Sequence, residues 1–256
     1  MKRTGRWAVC LMIALLFWIA CPAGNAEDQI QTYFLNVGKA DAILLRLNGQ
    51  DYLVDTGSKE SYDQMEDALR MLGVDRLVGV IITHTDKDHV GGLKKLLKSE
   101  IDVERVYAGK LHSEKSDEDH PAYSAAEKQN VSFTWLGAGE KIQAGECVMD
   151  ILGPLSLDAE DENNNSLVLN VETPEGNFLL AGDMTQMEEE ELLNAGNENV
   201  ALALYMNLSG YQDADDKVRE CYYRLAAKQA DEGNDEEAIR LYLLSSGWED
   251  AEEQRQ

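Results

Sequence analysis

Residues 77–82, Leu77-Val78-Gly79-Val80-Ile81-Ile82, are almost wholly apolar and run through Thr83 into His84-Thr85-Asp86-Lys87-Asp88-His89. A short apolar run rich in β-branched residues reads as a strand buried on both faces. Such a strand needs a covering layer on each side, which points to a layered α/β fold. The charged loop then falls at a strand end, on the rim where sheets of this kind bind ligands. Two imidazoles and two carboxylates within six residues are good ligands for zinc, manganese or iron. Adjacent side chains point in different directions, so Asp88 and His89 need not serve the same ion as His84 and Asp86. Two neighbouring metals are therefore expected. Gly91-Gly92 is expected to let the backbone turn tightly behind the ligands. The competing reading is a plain helix cap by Asp86 or Asp88. Asp55-Thr56-Gly57 and Gly182-Asp183 count against it, because each places a further acid at a strand end. Taken singly each is a weak signal, since acids near glycine are common in turns.

The pattern on either side of this loop fills in the layers. Within residues 30–55, Tyr33, Leu35 and Val37 share one side and Ile43, Leu45 and Leu47 another. Asn48-Gly49 is a hairpin turn leading into Tyr52-Leu53-Val54. Residues 62–72 carry Met65, Leu69 and Leu72 at helical spacing, and Gly73 ends that helix. Residues 93–98 read as helix and residues 103–107 as strand. Residues 112–130, with dense acids at 114–119, read as a solvated loop. Further strands are expected at 131–136, 147–152, 167–171 and 178–181, the last two joined around Pro174-Glu175-Gly176.

After about residue 186 strand signals vanish and helices take over. A 37-residue period appears there: Gly196-Asn197 matches Gly233-Asn234, Ala201 matches Ala238, Leu204-Tyr205 matches Leu241-Tyr242, Ser209-Gly210 matches Ser246-Gly247, and Asp213-Ala214 matches Asp250-Ala251. A fixed period with helical content marks helix-pair repeats of the tetratricopeptide kind, whose faces are buried by stacking. Barely two repeats are present, so the tail is expected to pack on the first domain, on itself or on a protein partner.

Acids outnumber bases by 48 to 23, a formal net charge of -25. Residues 27–185 hold 30 acids and 14 bases, so the excess is not confined to the tail. A field of that sign repels nucleic acid and anionic lipid unless metal ions or a local basic patch compensate. Strong nucleic-acid binding is therefore not expected. Lys2, Arg3 and Arg6, then an apolar run over residues 8–20 and Gly24-Asn25-Ala26, read as an export signal cleaved after residue 26. The run is short for a bilayer span, so no stable membrane span is expected after cleavage. An uncleaved anchor, or a lipoprotein site at Cys21, is the alternative. The mature chain is expected to be secreted or held at the cell surface. It would keep Cys147 and Cys221, too few and too far apart for a disulfide framework.

Residues 34–57, the stretch Thr83-HTDKDHVGG-Leu93, then Asn163-NNSLVL-Leu169 and Leu179-LAGD-Asp183 together resemble metallo-β-lactamase-fold hydrolases. Within them the closest likeness is to the ComEC-type domain of competence DNA-uptake proteins and its secreted relatives. The likeness covers about residues 30–185. In that subgroup an aspartate replaces the usual second histidine of the loop, as Asp86 does here. Asn163 to Asn165 stand where other members keep a metal histidine. The resemblance implies an αββα sandwich over 27–185 with its second half incomplete, followed by a helical repeat region over 186–256. It implies His84 and Asp86 at a first metal site, Asp88 and His89 at a second, Asp183 bridging them, and Asp55 bracing the loop. It implies two divalent ions, zinc with manganese as the alternative, which would lower the pKa of a bound water. Asp88 would also orient that water. The implied substrate is a phosphodiester or another small anion.

Two segments of the family, His-His-Gly-Ser and a late Gly-His-Pro, have no counterpart, and no histidine follows His120. One expected ligand and one substrate-binding histidine are therefore missing. His112 and His120 read as surface-loop histidines, not replacements. The principal expectation is a secreted metal-dependent hydrolase. The alternative is a catalytically inactive extracellular adaptor whose helical tail binds a partner. Hydrolysis of β-lactams ranks third, because Asp86 and the asparagines stand where such enzymes use histidines.

Overall fold

A computed structural model describes residues 30–111, 116–196, 198–207, 214–251 and 253–254. The expected export segment, His112, and Ser209-Gly210 of the repeat lie outside the described residues.

The first sheet begins with a meander. Strands β1 (Gln31–Phe34), β2 (Ile43–Leu47) and β3 (Gln50–Val54) pair antiparallel. Asn48 and Gly49 both take positive φ, 50° and 73°, as a two-residue hairpin turn requires. Helix α1 (Tyr62–Met71) buries Tyr62, Met65 and Leu69, and Gly73 at φ 74° follows it. Strands β4 (Arg76–Leu77) and β5 (Gly79–Ile82) then split the apolar run between two sheets. Every residue of β5 is buried. It pairs parallel with β3 on one side and β7 (Arg105–Gly109) on the other. Strand β6 (Asp102–Val103) pairs with β4, and β8 (Ser132–Leu136) completes the larger sheet in the order β1-β2-β3-β5-β7-β8.

The second sheet contains β9 (Lys141–Ala144), β10 (Cys147–Gly153), β11 (Val168–Thr173) and β12 (Gly176–Leu180), antiparallel in the order β12-β11-β10-β9. Alternation assigns the faces. Leu45, Tyr52, Val54 and Ile81 of the first sheet meet Met149, Ile151, Leu169 and Val171 of the second in one core. Leu44, Leu53, Val80 and Ile82 point the other way, into a core with Met65 and Leu69, with Leu93 and Leu96 of α3 (Leu93–Leu96), and with Ala122 and Ala126 of α4 (Pro121–Gln129). The expected two-sided burial of β5 is thus a layer of helices on one face and a sheet on the other. The outward face of the second sheet carries Lys141, Gln143, Asp150, Asn170 and Glu172 beside Val148, Leu152 and Leu179, and Lys141 pairs with Asp150 at 2.8 Å.

Two local expectations are corrected. Residues 121–129 are not loop but α4. His120 caps the helix, its Nδ1 accepting the Ala122 N–H at 3.2 Å; Pro121 occupies the first turn; Asn130 closes it in the left-handed conformation. His120 is accordingly buried, edge-on to Trp135 at 5.3 Å, and not a surface histidine. Strand β9, unforeseen, exists because the Gly145 turn (φ 63°) folds it back on β10.

Beyond β12 come α5 (Gln186–Asn194), α6 (Glu198–Asn207), α7 (Ala214–Asp231) and α8 (Asp235–Leu244). Positions 37 apart have matching environments. Gly196 and Gly233 both take positive φ; Ala201 and Ala238, Tyr205 and Tyr242, and Ala214 and Ala251 are all buried. Cys147 and Cys221 are buried free thiols.

Candidate metal centre

Three strand ends meet at one rim of the sandwich. β3 delivers Asp55, whose N–H donates to Ile81 O at 2.8 Å and whose φ is 60°. β5 delivers Thr83 and His84. The end of β12 delivers Asp183, with Gly182 at φ 55° packed so closely that an added Cβ would lie 3.0 Å from the Thr83 side chain. The Asp183 N–H donates to Ser166 Oγ at 3.2 Å, and Leu167 N donates to Thr83 O at 2.9 Å, which ties the two sheets together here.

The loop after β5 turns into the one-turn helix α2 (Lys87–Val90). It is clamped against the segment after β3. Thr56 N and Thr56 Oγ1 both donate to His89 O, at 2.7 and 2.9 Å. Gly91 and Gly92 have ordinary helical angles, so a tight turn is not what they supply. They supply room. A Cβ on Gly92 would meet Thr56 O at 2.2 Å, and one on Gly91 would meet Lys59 N at 2.7 Å.

Asp55 is the anchor of the polar cluster. Its carboxylate accepts from Thr83 N at 2.8 Å, from Thr83 Oγ1 at 2.7 Å and from His89 Nδ1 at 2.8 Å. A hydroxyl has one proton to give. With that proton committed to Asp55, Thr83 Oγ1 accepts from His84 Nδ1, 3.1 Å away. Both imidazoles then carry their ring proton on Nδ1 and turn Nε2 toward the rim. His84 Nε2 is buried with no hydrogen-bond partner, and His89 Nε2 lies 3.3 Å from Asp183 Oδ1. The rings are 4.1 Å apart, centre to centre. His84, His89 and Asp183 offer ligand atoms that all lie within 4.8 Å of one another. Two imidazoles braced from behind and one carboxylate suit a divalent ion such as zinc, which would take the place of a proton on His89, and a buried, unpartnered nitrogen is costly unless something fills that role.

Burial and the neighbouring His89 hold the His84 pKa below its usual value. Burial also opposes charge on His89, but the Asp55 hydrogen bond and the charges of Asp55, Asp183 and Asp41 outweigh it and push the value up to about 9.

The expected ligands thus divide. His84, His89 and Asp183 converge. Asp86 is exposed at the N-cap of α2, yet its side chain makes no capping bond, so the cap reading does not explain it. Asp88 is half-buried on α2. Neither belongs to the converging trio. Asn164 and Asn165 brace the preceding loop by bonds to Asp158, and Asn164 also accepts from Thr185, two residues beyond Asp183. One residue went unrecognised from sequence. Asp41 donates its N–H to Asp88 O at 3.1 Å and accepts from Gly57 N at 2.7 Å. Its carboxyl pKa is raised by burial and by Asp55, Asp183 and Asp88, with His89 opposing. The signal was available, since Asp41 is one more acid at the boundary of a strand.

The Metallo-beta-lactamase superfamily model matches residues 35–229. ComE operon protein 3 of Bacillus subtilis is 27% identical over 203 residues, covering 72% of this chain and 25% of that protein. Recombination protein 2 of Haemophilus influenzae is 26% identical over 183 residues, 70% of this chain and 21% of that protein. Competence protein ComA of Neisseria gonorrhoeae is 24% identical over 195 residues, 76% of this chain and 25% of that protein. The chain therefore spans at most about a quarter of these relatives. Among solved structures, a metallo-beta-lactamase from Cronobacter sakazakii superposes with a TM-score of 0.46 at 14% identity, covering 80% of this chain and 98% of that one.

Proposed function

Since the chain belongs to the metallo-beta-lactamase superfamily, whose members are generally metal-dependent hydrolases, we propose that it is an exported phosphodiesterase of that kind. The buried, unpartnered Nε2 of His84 beside His89 and Asp183 carries the reading. These three residues would hold the first ion, and Asp88 and Asp86, with Asp183 between the sites, a second; zinc fits the donors, with manganese the alternative. The metal supplies a polarising charge and a water of lowered pKa. The protein's own part is to fix Nε2 of both histidines toward the rim through Asp55 and Thr83, and to present Asp88 to orient the attacking water. The phosphodiester assignment is supported by Asp86 in the ComEC-type position, and by relatives whose names speak of competence and recombination. Export rests on residues 1–26.

Purified protein loaded with zinc or manganese is expected to hydrolyse bis-p-nitrophenyl phosphate, and His84→Ala to abolish turnover. Absence of metal-dependent turnover would sink the enzyme reading.

A second reading, an inactive adaptor, is favoured by the tail. The 37-residue period and its matched buried positions support a tetratricopeptide-like pair, and α8 leaves Ile239 and Leu243, one turn apart, exposed to solvent. Elemental analysis separates the two readings: two tightly held metals per chain support the enzyme, and a well-folded, metal-free protein supports the adaptor.

A further inference from the structure

A second feature lies against the same loop. Thr85 and Lys87 of the loop line a groove together with residues of α3 and α4. Four lysines from three elements converge on it: Lys87 from α2, Lys94 and Lys98 from α3 and the turn after it, and Lys128 from α4. No acid is among its lining residues, although acids outnumber bases by 48 to 23 in this chain. The floor includes Val90 and Ala125.

Several basic side chains elsewhere in the domain, though not Lys39, Lys59, Arg105 or Lys110, are paired with acids among the described residues. Arg46 pairs with Asp51, Arg70 with Glu66, Arg76 with Glu104 and Lys141 with Asp150. Lys95 is the instructive case, because it shares α3 with Lys94. It turns away from the groove, pairs with Asp63 at 3.3 Å and lies over the Tyr62 ring. Among the described residues, none of the four groove lysines has a carboxylate within ion-pair distance, and only Lys128 makes a side-chain bond, donating to Ser124 Oγ at 2.8 Å. Four like charges without counter-charges repel one another. All four are exposed, so solvent screens that repulsion, and an anion seated among them would relieve what is left of it.

We propose that this groove is a subsite for phosphate groups of a polyanionic chain that passes the metal centre. The inference rests on the phosphodiesterase reading and extends it from the scissile group to its neighbours. Lysine is suited to the task as a point charge for phosphate. The apolar floor gives sugars and bases a surface that free phosphate would not need. The lysines line a concave groove, which suits a strand better than a membrane surface. The groove is also the local basic patch that a chain of this net charge requires in order to hold any polyanion.

The test uses the full zinc-loaded chain and a fluorescein-labelled oligothymidylate, read by anisotropy across a salt series. Replacing Lys94, Lys98 and Lys128 together with alanine is expected to weaken binding by about tenfold or more. It is also expected to reduce the slope of log affinity against log salt by about 2, at roughly 0.7 per phosphate contact for a single strand. Zinc content and turnover of bis-p-nitrophenyl phosphate are expected to stay at the level of the unaltered chain. Charge reversal at Lys98 alone, Lys98→Glu, serves if the triple variant does not fold. No binding by the unaltered chain, or equal binding by the variants, overturns the proposal. So does lysine-dependent binding to phosphatidylglycerol vesicles without oligonucleotide binding, which would make the groove a membrane contact. Failure of the phosphodiesterase reading shows separately, as missing turnover of the small diester while the lysines still govern oligonucleotide affinity.

Discussion

Asp55 carries more of the site than any residue that points into it. One carboxylate accepts three bonds, and each fixes something different: the backbone at Thr83, the Thr83 hydroxyl, and the tautomer of His89. Through that hydroxyl it also sets the tautomer of His84. Asp55→Asn keeps size and tolerance of positive φ but removes the charge and one acceptor. Zinc affinity is expected to fall by about 10- to 100-fold with the fold retained, the range typical of partners behind metal ligands; competition with a chromogenic chelator measures it. Unchanged affinity would remove Asp55 from this role. Gly92 makes a sharper prediction. With only 2.2 Å between a new Cβ and Thr56 O, Gly92→Ala must displace the clamp on His89. Both the melting temperature and the metal content are expected to drop, by contrast with Gly139→Ala, where no atom lies within 4 Å and strain at φ 88° is the sole cost.

At the scale of elements, α5 shows how far the sequence could be read. Its start was legible as the end of strand signals, and Thr185 does cap it, accepting from Met187 N. Glu188, three residues after the cap, has the spacing of a capping box. The structure instead buries its side chain against Gly153, where both oxygens lack a partner. Burial, with Glu191 adding to it, pushes its pKa up to about 9. A carboxyl raised in the folded state favours folding below its unfolded value near 4.3. That contribution is lost as pH rises toward 9, because ionising the buried group costs more than ionising it in water. Glu188→Gln is therefore expected to leave stability unchanged near pH 4 and to raise it by up to about 3 kcal/mol at pH 7. Thermal or urea unfolding of both proteins across that range measures the difference, and parallel curves would refute it. Helix α4 shows the opposite failure. Its caps, His120 before Pro121 and Asn130 after Gln129, are local signals, but the acids at 114–119 masked them. The aromatic packing of His120 on Trp135 that fixes its start joins residues 15 apart in the chain.

For the whole molecule, the net charge of -25 is the governing quantity. Self-repulsion of that size destabilises a compact state, and salt screens it over about 10 Å at 0.1 M. The melting temperature is expected to rise between about 0.02 and 0.5 M sodium chloride, against the usual loss of surface ion pairs. A fall would mean that pairs such as Arg76 with Glu104 outweigh the general repulsion.

Local pattern alone determined much of the frame. The apolar run before His84 read as an interior strand, which holds for residues 79–82, Asn48-Gly49 as a hairpin, and residues 62–72 as an amphipathic helix, because period and turn chemistry act over a few residues. The loop 84–89 pointed to a candidate metal centre for the same reason. Only the tertiary structure decided which of its residues converge, because His84, His89 and Asp183 meet through strand ends nearly a hundred residues apart. It alone brought Asp41 alongside, turned His120 inward, and gathered four lysines from three elements into one groove within an acidic chain. Such contacts depend on how layers stack, and no periodicity along the chain encodes them.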